Sequence, residues 1–346
     1  MRALALTAFG GPEHLELVDL PAPEPAPDEV LIRVRTVGAN RMDVDVMLHR
    51  GIGGRVSLPQ ILGLDPAGEV ERVGAEVRDL APGDRVVVKP SIACGTCRFC
   101  LSGDDDACAH LVNIGVDRPG GFAELITVPR SNVARLPDGL DFVGGTALAH
   151  AAPVALLMLR ERARLRPGEV VLVSGAGGSI GSAAVQVARL LGARVIALAG
   201  SPATVEWARS LDVEAVIDYA SEPAFSGHVR ELAGPDGVAI YVESVGNPAV
   251  WQEALRALGR RARAVACGSH AAPSVPLDLN WLYRNRISLI GSSGSSLASF
   301  ADAFELVGRG AVRPNVHAVL PLERAADAYR LLLERQNRGK VVLQVS

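Results

Sequence analysis

The sequence predicts an α/β protein in two parts, a mostly antiparallel β region and a doubly wound parallel sheet. Three observations carry that prediction. At 346 residues the chain exceeds what one core usually organises, so two domains are expected. Residues 1 to about 130 break into short β-branched stretches punctuated by Gly and Pro: "VLIRVRTVG", "AGEVERVG", "DRVVVKP" and "FAELITVP". That spacing predicts a compact, mostly antiparallel β domain. From about residue 165 the rhythm changes to a continuous apolar strand "EVVLVSG", a segment of helical period "SAAVQVARLLG", and a strand again, "ARVIALAG".

The remaining elements follow in order. "MRALAL" alternates as a first strand. Further strands are expected at "AVIDY", "VAIYVES", "ARAVACG" and "RISLIGSS", each separated by a segment long enough for a helix. Such alternation implies parallel strands covered on both faces. Helices near "FADAFELVGRG" and "ERAADAYRLLLERQ" and a final strand "KVVLQVS" are expected to return to the first domain.

Composition narrows the function classes. Hydrophobic residues at 49% and charged residues at 21% suit a soluble globular chain, and no apolar run reaches the roughly 18 residues of a bilayer helix. The amino terminus lacks the pattern of a secretory leader, so a cytoplasmic protein is expected. A net charge of -3 argues for neither a nucleic-acid nor a membrane partner. The only lysines are Lys89 and Lys340; the other 33 of 35 basic residues are arginine, a bias that looks genomic rather than like a binding patch.

"VVLVSGAGGSIGSAAVQVA" sets a glycine-rich turn between a strand and a helix. Ala176, Gly178 and Gly181 take the three positions of a dinucleotide fingerprint, with Ala replacing the first Gly and with Gly177, Ser179 and Ile180 between them. The turn lets backbone amides and a helix amino terminus meet a pyrophosphate. In an NAD site an acid about twenty positions on accepts the ribose hydroxyls. Here the second strand ends in Ala199, Gly200 and Ser201, so NADP is expected, with NAD open.

"CGTCRFCLSGDDDAC" spaces Cys94, Cys97, Cys100 and Cys108 as C-x2-C-x2-C-x7-C. Cytosolic thiols stay reduced, so the cluster reads as a metal site. Four thiolates close a tetrahedron and leave no open position, the pattern of one structural zinc per chain rather than a catalytic one. A redox pair would place two cysteines at a helix start. The run Asp104, Asp105 and Asp106 is expected to be a solvated turn.

A β-rich start, this cysteine lobe, "RLRPGEVVLVSGAGGSIG" and an ending in "GKVVLQV" together resemble the medium-chain dehydrogenase/reductase superfamily, both its zinc-type alcohol dehydrogenases and its quinone oxidoreductases. The resemblance covers essentially the whole chain. It implies a GroES-like catalytic domain over 1–133 and 298–346, with the zinc lobe at about 91–112, and a Rossmann domain over 134–297. It also implies a nicotinamide cofactor in the cleft between them.

Members with catalytic zinc carry an early Cys, a Gly-His-Glu triplet and a later Cys or Asp. Here those positions read Asn40, then Gly63, Leu64 and Asp65, then His150. A catalytic zinc takes three protein ligands, and Asp65 with His150 supplies at most two. The resemblance therefore implies hydride transfer without catalytic zinc, from NAD(P)H to an electron-poor quinone, enone or α-dicarbonyl.

Asn40 and Asp43 match the Asn and Asp that quinone-reductase-like members set beside nicotinamide and substrate. With His150 they form the expected catalytic set; Asn40, His150 or His49 could donate to the substrate oxygen. Ser201 and Tyr219 match the adenosine end. Val245, Gly246, Gly268 and Ser269 match the cofactor's path, and Lys340 matches a terminal lysine near the 2′-phosphate. The strand "RISLIGSSG" implies a homodimer, with a tetramer open. The alternatives are a ketone reductase or alcohol dehydrogenase of a biosynthetic pathway and, in another class, a non-catalytic NADPH-binding protein.

Overall fold

The first strand already sorts its side chains: in β1 (Arg2–Leu6) all but Arg2 are buried. In the computed structural model, which describes residues 1–345, the chain divides into two units, residues 1–150 with 295–346 and residues 151–294. In the first unit β2 (Leu15–Asp19) pairs antiparallel with β1. The long β3 (Glu29–Ala39) leads into α1 (Arg41–Met47). A short β4 (Gln60–Ile61) pairs with β1, and β5 (Ala67–Val73) and β6 (Arg85–Val88) continue the sheet that β3 begins.

The cysteine lobe follows, framed by β7 (Ser91–Ile92), the single turn α2 (Arg98–Leu101) and β8 (Val112–Asn113). Then β9 (Leu125–Pro129) pairs with β3, and β10 (Val133–Arg135) pairs with β6. Helix α3 (Phe142–Ala149) starts at Asp141, whose carboxylate accepts the Gly144 N–H at 2.7 Å.

The first unit thus extends to 150, past the expected boundary at 133. The cause is local bonding. β10 is a ladder partner of β6, and Thr36 on β3 donates to Phe142 O at 2.9 Å and meets the Thr146 hydroxyl of α3 at 2.7 Å.

The second unit begins with α4 (Ala151–Leu156) and one π turn. The helical run 142–162 is long enough for a membrane span and holds an 18-residue window of matching mean hydropathy (1.7), contrary to the sequence expectation, but 83% of that window is buried in the protein. It is core. There follow β11 (Val170–Val173), α5 (Ser179–Leu190), β12 (Arg194–Ala199), α6 (Pro202–Arg209), β13 (Ala215–Asp218), α7 (Ser226–Ala233), β14 (Val238–Glu243), α8 (Pro248–Ala257), β15 (Leu258–Ala266), α9 (Leu279–Asn285) and β16 (Ser288–Gly291).

The six strands are all parallel in the order β13-β12-β11-β14-β15-β16. β11 is buried at every residue, as a strand covered on both faces must be. The sheet reverses direction of growth at β11, the point where such folds take ligands beyond the carboxyl ends of the strands.

The chain then returns to the first unit through α10 (Leu297–Gly308), β17 (Val316–Pro321), α11 (Ala325–Leu333) and β18 (Lys340–Gln344). β18 lies in the sheet between β17 and β3, running antiparallel to β3 with Val342 opposite Gly38. That pairing brings residue 340 next to residue 40.

Candidate active site and metal lobe

In the first unit, β18 sets Lys340 beside β3 and the loop before β5. Its ammonium pairs with the Asp65 carboxylate and donates to Asn40 Oδ1 at 2.6 Å. Asp65 is fully buried and Lys340 is 2% exposed. Gly38 makes the room, since a Cβ there would stand 2.1 Å from Lys340 Cε. Asp65 Oδ1 accepts the Gly38 N–H at 3.0 Å and Asn40 Nδ2 at 3.1 Å. Asn40 Nδ2 also donates to Gly38 O at 3.1 Å.

Two expectations are corrected by these distances. Lys340 is not a free cation for a 2′-phosphate, because it is 2% exposed and held by a buried carboxylate. Asn40 has both amide hydrogens and its oxygen engaged within the cluster, so it has no donor left for a substrate oxygen.

Asp43 is corrected too. It is 2% exposed, and its oxygens receive the Asn40 N–H at 2.8 Å, the Tyr329 hydroxyl at 2.9 Å and the Gly63 N–H at 3.3 Å. It braces the turn into α1 rather than meeting substrate. Burial pushes its pKa up to about 7 against the pull of Tyr329 and the two amides.

His150, at the end of α3, differs from both. Its Nδ1 is buried and has no hydrogen-bond partner. Burial lowers the imidazole pKa to about 4; the Asp65 carboxylate opposes that shift, and Lys340 and Lys89 reinforce it. The ring is neutral at physiological pH, a hydrogen-bond donor at one nitrogen and an acceptor at the other. His49 lies apart at the surface, its ring 4.0 Å from that of Phe9.

The lobe residues meet the expectation for a metal. Cys94, Cys97, Cys100 and Cys108 bring their sulfurs within 4.8 Å of one another, the one such group among the described residues. Sulfur separations of 3.5 Å (Cys97 to Cys100), 3.9 Å (Cys94 to Cys100) and 4.0 Å (Cys97 to Cys108) are far too long for disulfides. Bonds of about 2.3 Å to a common centre would put tetrahedral sulfurs about 3.8 Å apart. The cradle therefore fits a four-coordinate metal. Backbone N–H groups of Cys94 and His110 each reach Cys108 Sγ at 3.3 Å, the outer support that a thiolate needs.

The acidic run is not wholly solvated. Asp105 is 7% exposed, lies 3.7 Å from the ammonium of the fully buried Lys89, and accepts the Leu297 N–H at 3.0 Å at the start of α10. Lys89 also donates to Ser91 O at 2.7 Å and Ser91 Oγ at 3.0 Å. Both lysines of the chain are thus buried ion-pair partners. Their scarcity in the sequence was the only available signal.

In the second unit the glycine turn stands between β11 and α5 as expected. Gly181 packs so close to the turn that a Cβ would lie 2.1 Å from Gly175 O. Gly175, absent from the sequence candidates, takes φ +65, a conformation that favours glycine. Tyr219 lays its hydroxyl against Gly200, where a Cβ would meet it at 2.3 Å, and Ser201 caps α6 by accepting the Thr204 N–H at 3.3 Å. The turn fits a pyrophosphate: no side chain caps the α5 amino terminus, whose first N–H groups have no partner within the helix and suit an anion.

Two sequence profiles match this chain, that of the alcohol dehydrogenase GroES-like domain over residues 26–138 and that of the zinc-binding dehydrogenases over residues 179–309. The chain belongs to the medium-chain dehydrogenase/reductase superfamily. This medium-chain oxidoreductase is 29% identical over 340 residues to the acryloyl-coenzyme A reductase of Metallosphaera sedula, covering 98% of this chain and 99% of the relative. It is also 29% identical to the quinone oxidoreductase of Pseudomonas aeruginosa over 351 residues, 99% of each chain. A crystal structure of an NAD-dependent alcohol dehydrogenase superposes with a TM-score of 0.94 at 36% identity over the whole of both chains. The oxidoreductase class and the two-domain α/β fold are therefore settled, and the cysteine lobe falls in a family with zinc-binding members.

Proposed function

We propose that this medium-chain oxidoreductase is a reductase of electron-poor conjugated carbonyl acceptors that works without a metal at its reaction centre, with zinc only in the cysteine lobe. The observation that carries the reading is the donor set. Where relatives of the zinc type present ligands, this chain presents Asn40, Leu64 and His150, and a buried ammonium pairs with Asp65 beside them. Leucine offers no donor atom, the amide of Asn40 is engaged, and the Lys340 charge repels a second cation.

A bound reduced nicotinamide would supply the hydride. The glycine turn would hold its pyrophosphate, and Gly200, Ser201 and Tyr219 its adenosine side. The neutral His150 imidazole would donate a hydrogen bond to the oxygen on which charge develops. Being neutral, it would steady an enolate without surrendering a proton, so water would complete the reduction. Without a Lewis acid worth several kcal/mol, simple ketones lose most, whereas quinones, enones and unsaturated thioesters spread the charge over a conjugated system. The named substrates of the Metallosphaera and Pseudomonas relatives, an acryloyl thioester and a quinone, support that class.

NADPH is the proposed donor, because no acid follows β12 to repel a 2′-phosphate. A homodimer is proposed through β16, an edge strand with Leu289 42% exposed, flanked by the exposed Leu279 and Tyr283 of α9.

Oxidation of NADPH and NADH by purified enzyme against quinones, enones, acryloyl thioesters, dicarbonyls and simple ketones tests the reading. Faster turnover of conjugated acceptors with NADPH supports it. Turnover of simple alcohols that is lost on removal of a second zinc would overturn it, and nucleotide binding without turnover of any acceptor would point to a binding protein.

A further inference from the structure

Within the second unit, four hydrogen-bond donors converge on one buried carboxylate that the proposed reaction does not use. Glu243, the last residue of β14, is 2% exposed. Its Oε1 accepts the Ser174 hydroxyl at 3.1 Å, the Gly246 N–H at 2.8 Å and the Val245 N–H; its Oε2 accepts the Tyr241 hydroxyl. Ser174 ends β11 immediately before the glycine turn, and its hydroxyl also accepts the Ser244 N–H at 3.1 Å. One carboxylate therefore ties the exits of two adjacent strands.

What those exits carry is next to the turn and next to each other. A Cβ on Gly175 would lie 2.6 Å from Ser244 Oγ and 2.9 Å from Val245 Cγ2. Ser269 Oγ stands 2.7 Å from where a Cβ on Gly246 would be, and Ser244 O lies 2.9 Å from the equivalent point on Gly268. The segments 174–181, 244–246 and 268–269 form one continuous floor over the ends of β11, β14 and β15. A carboxylate offers about four acceptor sites on its two oxygens and no donor, which matches these four donors, and such bonds are stronger than neutral ones.

A dinucleotide lies across the carboxyl ends of such a sheet with its pyrophosphate at the central turn. The Gly200, Ser201 and Tyr219 side would take adenosine, which leaves the β14 and β15 side for nicotinamide. Resting on the proposed nucleotide site, we infer that Glu243 is the positioning residue for the nicotinamide half, holding 244–246 in the conformation that half requires. It acts through these loops and does not touch the ring. A consequence is that the Val245 and Gly246 N–H groups belong to Glu243, so only their carbonyls and side chains remain for a ligand.

The test compares two ligands on the full-length enzyme by fluorescence or calorimetric titration: the reduced dinucleotide, NADPH or NADH, that wild type prefers, and the matching ADP-ribose, which lacks nicotinamide. Glu243→Gln keeps the size but replaces one acceptor oxygen with a donor. It is expected to weaken dinucleotide binding about tenfold and ADP-ribose binding less than about twofold. Ser174→Ala, which keeps the carboxylate, should shift the same ratio about threefold and covers the case in which Glu243→Gln does not fold. Equal losses for both ligands, or none, in the variants that fold overturn the assignment while leaving the nucleotide site intact. A wild type that binds neither ligand overturns the site itself.

Discussion

Two polar clusters of the first unit have had opposite fates. The cysteine lobe retains four metal donors at separations that fit a tetrahedral centre. The cluster around Asn40 holds Asp65, Lys340 and Tyr329 in a closed set of protein-only bonds. The lobe's sulfurs are met only in part by backbone N–H groups, so its stability would rest on the metal that its spacing fits. The second cluster satisfies itself, whereas His150 Nδ1 is buried with no hydrogen-bond partner. A charge inside a protein must be answered by something; one cluster is built for a cation from solution and the other carries its own.

The strongest way to break the comparison is to open the lobe. Cys100→Ser leaves three thiolates, and because binding to such sites contributes about 10 kcal/mol or more, zinc per chain should fall from one to near zero. Amides over 94–110 should lose protection from hydrogen exchange, and retained zinc in this variant would contradict a tetrathiolate site.

Next in size is Lys340→Met, which strands the fully buried Asp65 carboxylate. A loss of about 3–5 kcal/mol in denaturant unfolding is expected, with zinc content unchanged. Adding Asp65→Asn should recover a good part of it. A cost under about 1 kcal/mol would mean that the pair does not organise the cluster.

Asp105→Asn should cost about 1–3 kcal/mol, because it weakens both the Lys89 pair and the amino terminus of α10. It is the one substitution expected to affect the lobe and the body together, so lobe amides and global unfolding should shift in the same variant.

The smallest effects are in pH dependence. The Asp43 pKa is raised from 3.8 to about 7, so its contribution to stability is full below the lower value and is lost as pH rises through about 7. The His150 pKa is lowered from 6.5 to about 4, so its contribution is present above pH 6.5 and is lost as pH falls through about 4. The two slopes oppose each other across pH 4 to 7. His150→Asn should therefore lose stability with rising pH more steeply than wild type, and Asp43→Asn should gain it, each by less than about 1.4 kcal/mol per pH unit. An imidazole resonance of His150 titrating near 6.5 by NMR would contradict its burial.

Much of this molecule was legible before folding. Strand and helix periods place β11 to β16 and their helices, because apolar spacing follows the geometry of a single element. The cysteine lobe was equally plain, since its ligands lie within 15 residues. The glycine turn was read with one omission: Gly175 carries the positive φ, whereas the fingerprint drew attention to residues 176 to 181. The domain boundary was misplaced because Thr36 binds Thr146, a contact between residues 110 positions apart.

The sequence alone determined the class of fold, the glycine turn between β11 and α5 and the set of candidate residues. Only tertiary structure decided which of them are free to act. Lys340 looked like a phosphate contact and Asn40 like a donor until β18 paired with β3 and each satisfied the other. Asp105 looked solvated until α10 returned to it, and Glu243 drew no notice until β11 and β14 aligned. A side chain's chemistry belongs to its residue type, but its availability depends on partners that distant strands supply.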